Sequence, residues 1–175
     1  VRYTFVERGN GFSLRIRYNC PRGGTPGHWM ERKTNHETRR ISGKIGELLT
    51  AVELLRHGFS VSWPAVDEGY DLIADDGCGR LGRLQVKTAI PSEGGTYNIL
   101  FARGANNKRK YSKEDIDAFV VTLVYDIGTA FYVIPVSYDP PMKGIFWQPG
   151  QHPRHPDKWK TCKYEEYRDR WDLLR

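Results

Sequence analysis

The stretch from Ser42 to Ala89 constrains the fold more than any other part of the chain. Ile45, Leu48, Leu49, Val52 and Leu55 recur at helical spacing, Ser42 can cap the start and Gly58 can end it, so one amphipathic helix is expected over about 43–57. Three alternating runs follow: FSVSW at 59–63, stopped by Pro64, then YDLIAD at 70–75 and LGRLQVKTA at 81–89, with DGCG as the turn between the last two. A helix followed by a β-meander places the chain in the α/β class. Further on, YNILFA at 97–102 is a strand candidate, and RGANNKRKYSKED at 103–115 is a basic loop with a short helix capped by Ser112. DAFVVTLVYD and TAFYVIPVS are two apolar β-rich runs joined by a turn at 126–128, and they are expected to complete a central sheet. Residues 138–160 are rich in Pro, Trp and His without periodicity. YEEYRDRWDLLR then closes the sequence as a short helix with Tyr164, Tyr167, Trp171 and Leu174 on one side.

The third run of the meander holds the chemistry. Gln85 and Lys87 are two residues apart, so both point to one face of the strand while Leu84, Val86 and Thr88 point to the other. Asp71 precedes Gln85 by 14 residues, the right length for a hairpin that brings it opposite that pair. Glu47, on the helix before the meander, can approach the same spot from above the sheet. Two carboxylates and an amide oxygen are hard ligands of the kind Mg²⁺ accepts, with substrate phosphate as a further ligand. A lysine beside such a metal can orient or help deprotonate an attacking water and offset charge building on the phosphorus centre.

Charge points to the same partner. Lysine and arginine number 27 against 21 acids, and residues 1–40 hold nine basic and three acidic side chains, which accounts for the whole net charge of +6. The guanidinium fork suits phosphate oxygens, so an arginine-rich arm favours a polyanion, a solvated surface without a partner being the alternative. With 175 residues and 39% hydrophobic content the chain can bury a real core. No run approaches the roughly 20 apolar residues that span a bilayer, and VRYTFVERGN has charges where a signal peptide needs its apolar stretch. A cytoplasmic protein with no membrane association is expected. Cys20, Cys78 and Cys162 are odd in number and far apart, and are expected as free thiols.

GKIGELLTAVELLRHGFSV, then GYDLIADD, then RLQVKTA resemble the PD-(D/E)XK nuclease superfamily in the order of its motifs and in its helix, strand, hairpin and strand layout. The likeness is to group I intron-associated PD-(D/E)XK endonucleases and, more distantly, to archaeal Holliday junction resolvases. YSKEDIDAFVVTLVYD followed by TAFYVIPV extends it, so it covers about 42–137. It implies a restriction-endonuclease-like α/β core, with a central mixed β-sheet flanked by helices, over 41–137. A basic N-terminal extension at 1–40 and a C-terminal extension at 138–175 ending in a short helix lie outside it. The resemblance makes Asp71 the metal-bridging acid, puts Gln85 in the Asp/Glu place of the signature, makes Lys87 its lysine and Glu47 its helix glutamate, and adds the backbone carbonyl of Val86 as a metal ligand. Tyr70 stands where the signature has Pro, which only shapes the strand. Gln85 replaces a carboxylate and lowers the negative charge that holds the metal, although the intron-associated group commonly has Gln there.

The function implied is a metal-dependent DNA endonuclease, of homing or restriction type, that hydrolyses phosphodiesters with Mg²⁺, Mn²⁺ being able to substitute. The alternatives are a catalytically degenerate DNA-binding module on the same fold and a Holliday junction resolvase. DNA contacts are expected from Arg15, Arg17, Arg22, Arg39 and Arg40 in the arm and from Arg103, Lys108, Arg109, Lys110 and Lys113 in the basic loop. Duplex cleavage with one centre per chain suggests a homodimer or higher homo-oligomer.

Other motifs fail their own context. Gly77, Gly79 and Gly82 spell GxGxxG, but a strand follows and no helix receives a pyrophosphate, so they are turn glycines. Cys20, His28 and His36, or His152, His155 and Cys162, lack a fourth ligand at zinc-finger spacing. Asp117 is expected to cap or end the short helix before the next strand, and His57 to favour a helix C-terminus.

Overall fold

The computed structural model describes residues 2–8, 11–17, 35–89, 96–104, 107–125, 128–147 and 164–175. The chain divides into two compact units, Val1–Arg40 and Ile41–Arg175. In the first, β1 (Arg2–Arg8) and β2 (Gly11–Arg17) pair antiparallel, with Arg2 opposite Arg17 and Arg8 opposite Gly11. The helix α1 runs Asn35–Arg56 and starts well before Ser42, the cap expected from the sequence. NHETRRI carries no apolar stripe, so periodicity marked only the packed part of the helix. At the other end Gly58, at φ +83°, takes the left-handed conformation that stops it.

The second unit is built on a five-stranded mixed sheet. Its strands are β3 (Ser60–Ser62), β4 (Leu72–Asp75), β5 (Leu81–Ala89), β9 (Ala118–Tyr125) and β10 (Gly128–Pro135), in the order β10-β9-β5-β4-β3. β5 and β9 are parallel, with Gln85 opposite Phe119, and every other pair is antiparallel. β9 lies between two partners and is covered on both faces, which is why AFVVTL is an unbroken buried run with no alternation. Leu84, Val86, Ala118, Val120 and Val133 face Ala51 and Leu54 of α1 in one core. Phe119, Val121, Leu123, Tyr132 and Ile134 form the other with Tyr97, Ile99, Phe101, Phe146 and Tyr164.

That second face is closed by strands. β6 (Thr96–Leu100) pairs antiparallel with β11 (Lys143–Trp147), a strand inside the stretch that shows no periodicity in sequence. β7 (Ala102–Arg103) and β8 (Arg109–Lys110) form a small antiparallel pair. The helix expected before β9 is a single turn, in which Asp115 and Ile116 donate to the Ser112 carbonyl at 3.1 Å each. The closing helix is likewise absent: Glu165–Tyr167 and Trp171–Leu174 are two separate 3₁₀ turns. Between them Arg168 bridges to Tyr132, and Asp169, at φ +52°, donates its N–H to the Phe131 carbonyl at 3.0 Å. These bonds to β10 hold the backbone out of helical register. Tyr164, Trp171 and Leu174 are nonetheless buried, in the same cores as the sheet.

Candidate active site

The register of two strands places the polar pair. Leu72 of β4 sits opposite Leu84 of β5, and the N–H of Asp71 donates to the Leu84 carbonyl at 2.8 Å, so Asp71 lies beside Gln85. Alternation along β5 sends Leu84 and Val86 into the core under α1, which leaves Gln85 and Lys87 on the opposite face. Asp71 Oδ2 accepts the Val86 N–H at 2.7 Å and a hydrogen bond from Gln85 Nε2. Oδ1 accepts none among the described residues. Gln85 is 8% exposed and wholly engaged: Nε2 also reaches the Val86 carbonyl at 3.3 Å, and Oε1 accepts from the Tyr111 hydroxyl at 2.6 Å. Lys87 Nζ stands 5.5 Å from the centre of the Tyr111 ring.

Burial sets the electrostatics. It raises the Asp71 carboxyl to about 6, helped by the negative charges of Glu47 and Asp67 and opposed by the Val86 N–H and Lys87. Burial also pushes the Lys87 ammonium below its ordinary value, against the pull of Asp71. The Tyr111 hydroxyl is raised to about 12, first by burial and then by the charge of Asp71, so it remains a proton donor to Gln85. Glu47, half-buried on α1, holds an ion pair with Lys44 at 2.6 Å.

Glu47 is set by close contact between α1 and β5. Thr88 Oγ1 lies 3.5 Å from the Gly43 carbonyl, and a Cβ on Gly46 would overlap the Thr88 side chain. Below it, the hydroxyls of Thr50 and Thr122 are 3.0 Å apart in the core. The two glycines of GKIGE therefore let the helix lie on the strand that carries Gln85 and Lys87.

The structure thus gathers Asp71, Gln85 and Lys87 on one face, with the charge of Glu47 felt at Asp71. No three His, Cys, Asp or Glu side chains cluster among the described residues. Available donors are the Asp71 and Glu47 carboxylates, the Gln85 amide and the Val86 carbonyl, all hard oxygens. A half-buried carboxylate with one uncommitted oxygen and a second negative charge nearby fits a hard divalent cation, which would relieve the repulsion that raises Asp71. Tyr111 joins this group although no motif marks it: its place between β8 and β9 is set by tertiary packing edge-on against Phe119, with ring centres 5.3 Å apart.

The expected DNA-contacting residues divide into three groups. Arg103 and Arg109 both pair with Asp115, at 3.3 and 3.0 Å, and Lys110 pairs with Asp139 at 3.0 Å. Lys108 and Lys113 are exposed and in no ion pair among the described residues; Arg39 and Arg40 are exposed on α1. The side chains of Arg15 and Arg17, and Arg22 altogether, lie outside the described residues, as do Cys20, His28, His152, His155 and Cys162 and the side chain of His36. Asp117 has a different role from the cap expected: its carboxylate accepts the Arg83 N–H at 2.8 Å and pairs with the Arg83 guanidinium at 3.2 Å, clamping β5 to β9. Gly77 and Gly79 both take positive φ in the turn before β5.

No curated protein matches the chain. A bacterial homing endonuclease, I-Ssp6803I, shares the fold with a TM-score of 0.62 over 77% of this chain and 91% of that one, at 25% sequence identity. The sheet is accordingly the restriction-endonuclease-like core, described here with α1 on one face and the β6–β11 pair on the other. A sequence profile of PD-(D/E)XK endonucleases matches residues 36–143, a span that begins within α1, contains Asp71, Gln85 and Lys87, and ends at the first residue of β11. With more than half of its length inside that match and its polar cluster in the signature's order, the chain belongs to the PD-(D/E)XK endonuclease family.

Proposed function

We propose that this chain is a divalent-metal-dependent DNA endonuclease of the homing type that hydrolyses phosphodiester bonds, with Mg²⁺ as its metal and Mn²⁺ able to substitute. The observation that carries the proposal is the grouping of Asp71, Gln85 and Lys87 on one sheet face, with the Glu47 charge raising the Asp71 carboxyl. Asp71, Glu47, the Val86 carbonyl and, after its amide turns over, Gln85 Oε1 would hold the metal. That cation supplies Lewis acidity toward a phosphate oxygen and an attacking water.

The remaining work falls to the chain. Val86 N–H fixes one oxygen of Asp71 and leaves the other directed outward. Lys87, buried and depressed, gives up its proton more readily than an exposed lysine; in its neutral form it takes a proton from the attacking water, and in its charged form it offsets negative charge on the phosphorus centre. Tyr111 orients Gln85 and lies under the Lys87 ammonium, so one ring restrains two members of the site. Basic side chains of 1–40, with Lys108 and Lys113, supply phosphate contacts.

Incubating supercoiled plasmid and a four-way junction with the protein in Mg²⁺, in Mn²⁺ and in EDTA tests this directly. Plasmid cleavage in either metal and none in EDTA is the expected result. Binding without cleavage in any metal would mark a DNA-binding module on the nuclease fold, and junction-selective cleavage would mark a resolvase.

A further inference from the structure

α1 carries two apolar faces. The inner one lies on the sheet through Gly46, Thr50, Ala51 and Leu54. On the outer one Ile45, Leu48, Val52 and Leu55 are 38%, 50%, 52% and 59% exposed, four of the eight large hydrophobic side chains exposed among the described residues. Their spacing of three, four and three residues is a coiled-coil seam. Ile45 and Val52 occupy its first core position and Leu48 and Leu55 its second, and β-branched residues at the first with leucine at the second suit two-helix pairing. Ile41 stands one heptad before Leu48 and continues the line. The flanking charges are already matched within the helix, Lys44 with Glu47 at 2.6 Å and Glu53 with Arg56 at 3.0 Å, so none must be stripped of a partner when the seam closes. Trp63, 45% exposed, has Lys44 5.9 Å from its ring centre and enlarges the same patch.

We infer that this stripe is the contact between two copies of the chain, α1 packed on α1 about a two-fold axis. The stripe complements itself when the helices run antiparallel: Ile45 meets Leu55 of the partner subunit and Leu48 meets Val52 of the partner subunit, so each layer joins one β-branched side chain to one leucine. Antiparallel packing also sets opposite ends of the helix dipoles together. A second copy is the occupant because the seam is made for a helix of the same pattern, and an isologous contact needs no other surface. The pairing is independent of whether the site cuts DNA.

Sedimentation equilibrium of the full chain is expected to give twice the chain mass. Leu48→Glu combined with Val52→Glu is expected to give the single-chain mass and to raise the dimer dissociation constant by at least about 100-fold, because two charges would enter the seam. Circular dichroism and melting of that variant at low protein concentration should stay near those of the dissociated wild type, since both side chains already face solvent in the single chain. For orientation, Leu48→Cys and Val52→Cys chains, each with Cys20, Cys78 and Cys162 changed to Ser, are mixed and oxidised. A disulfide joining the two different variants supports the antiparallel pair, whereas one joining Leu48→Cys chains to each other overturns that arrangement. A wild-type chain of single mass at every concentration, or a dimer that survives the double glutamate change, overturns the proposal.

Discussion

At the scale of single residues, Asp71 joins function and stability with opposite signs. Its carboxyl is raised from 3.8 to about 6, so the folded chain binds a proton more tightly than the unfolded one. Stability therefore falls as pH rises through that window, and above it the charged side chain costs the metal-free fold at most about 3 kcal/mol. Asp71→Asn is expected to abolish cleavage and yet to melt at a higher temperature than wild type in EDTA at pH 8, with the difference vanishing near pH 4. Scanning calorimetry at the two pH values checks this. Lys87→Ala should likewise end cleavage while leaving DNA affinity within a few-fold, because affinity rests on distributed phosphate contacts. Tyr111→Phe keeps the ring under Lys87 and removes the donor to Gln85; a fall in kcat of about 10-fold at saturating metal, with little change in DNA affinity, is expected, and Tyr111→Leu should be worse. Equal rates for both variants would mean that the tyrosine does not position the amide. The four charged or amide members of this cluster were legible because alternation and hairpin length are local rules. Tyr111 was not, since nothing local distinguishes it from the other tyrosines and only its packing against Phe119 brings it to Gln85.

Among elements, the meander and the two long strands followed from alternation and from buried apolar runs, whereas β11 and the terminal turns depend on partners distant in sequence. KGIFW becomes a strand because β6 offers an edge to it. WDLL becomes a 3₁₀ turn, and not the end of a helix, because β10 binds Arg168 and Asp169. The contact of α1 with β5 gives the most direct test at this level. Gly46→Ala places a methyl into Thr88 and is expected to destabilise the fold by about 1–3 kcal/mol in urea denaturation, although alanine is the better helix former. Adding Thr88→Ala should recover part of the loss. If Gly46→Ala is neutral or stabilising, the helix does not sit on β5 as closely as described.

For the whole molecule, charge is distributed by segment. Residues 1–34 carry seven lysines and arginines, and each one that contacts phosphate adds about 0.9 to the magnitude of the log–log salt slope of DNA binding. Removing 1–34 leaves α1 intact and is expected to weaken binding and flatten that slope. An unchanged slope in a folded protein would assign the phosphate contacts to the second unit, to Lys108 and Lys113 above all. The parallel pairing of β5 with β9 has a consequence in time. Leu84 meets Ala118 only after the intervening chain, with β6, β7 and β8, has looped back, whereas Asp71 meets Gln85 and Val86 within one hairpin. Long loop closure is slow and short closure is fast. Pulse-labelled hydrogen exchange during refolding should therefore find the Val86 amide protected in an early, hairpin-sized species, and Val120 and Val121 protected only as the chain reaches its final form: the acid that would hold the metal acquires its surroundings before the molecule has a closed core.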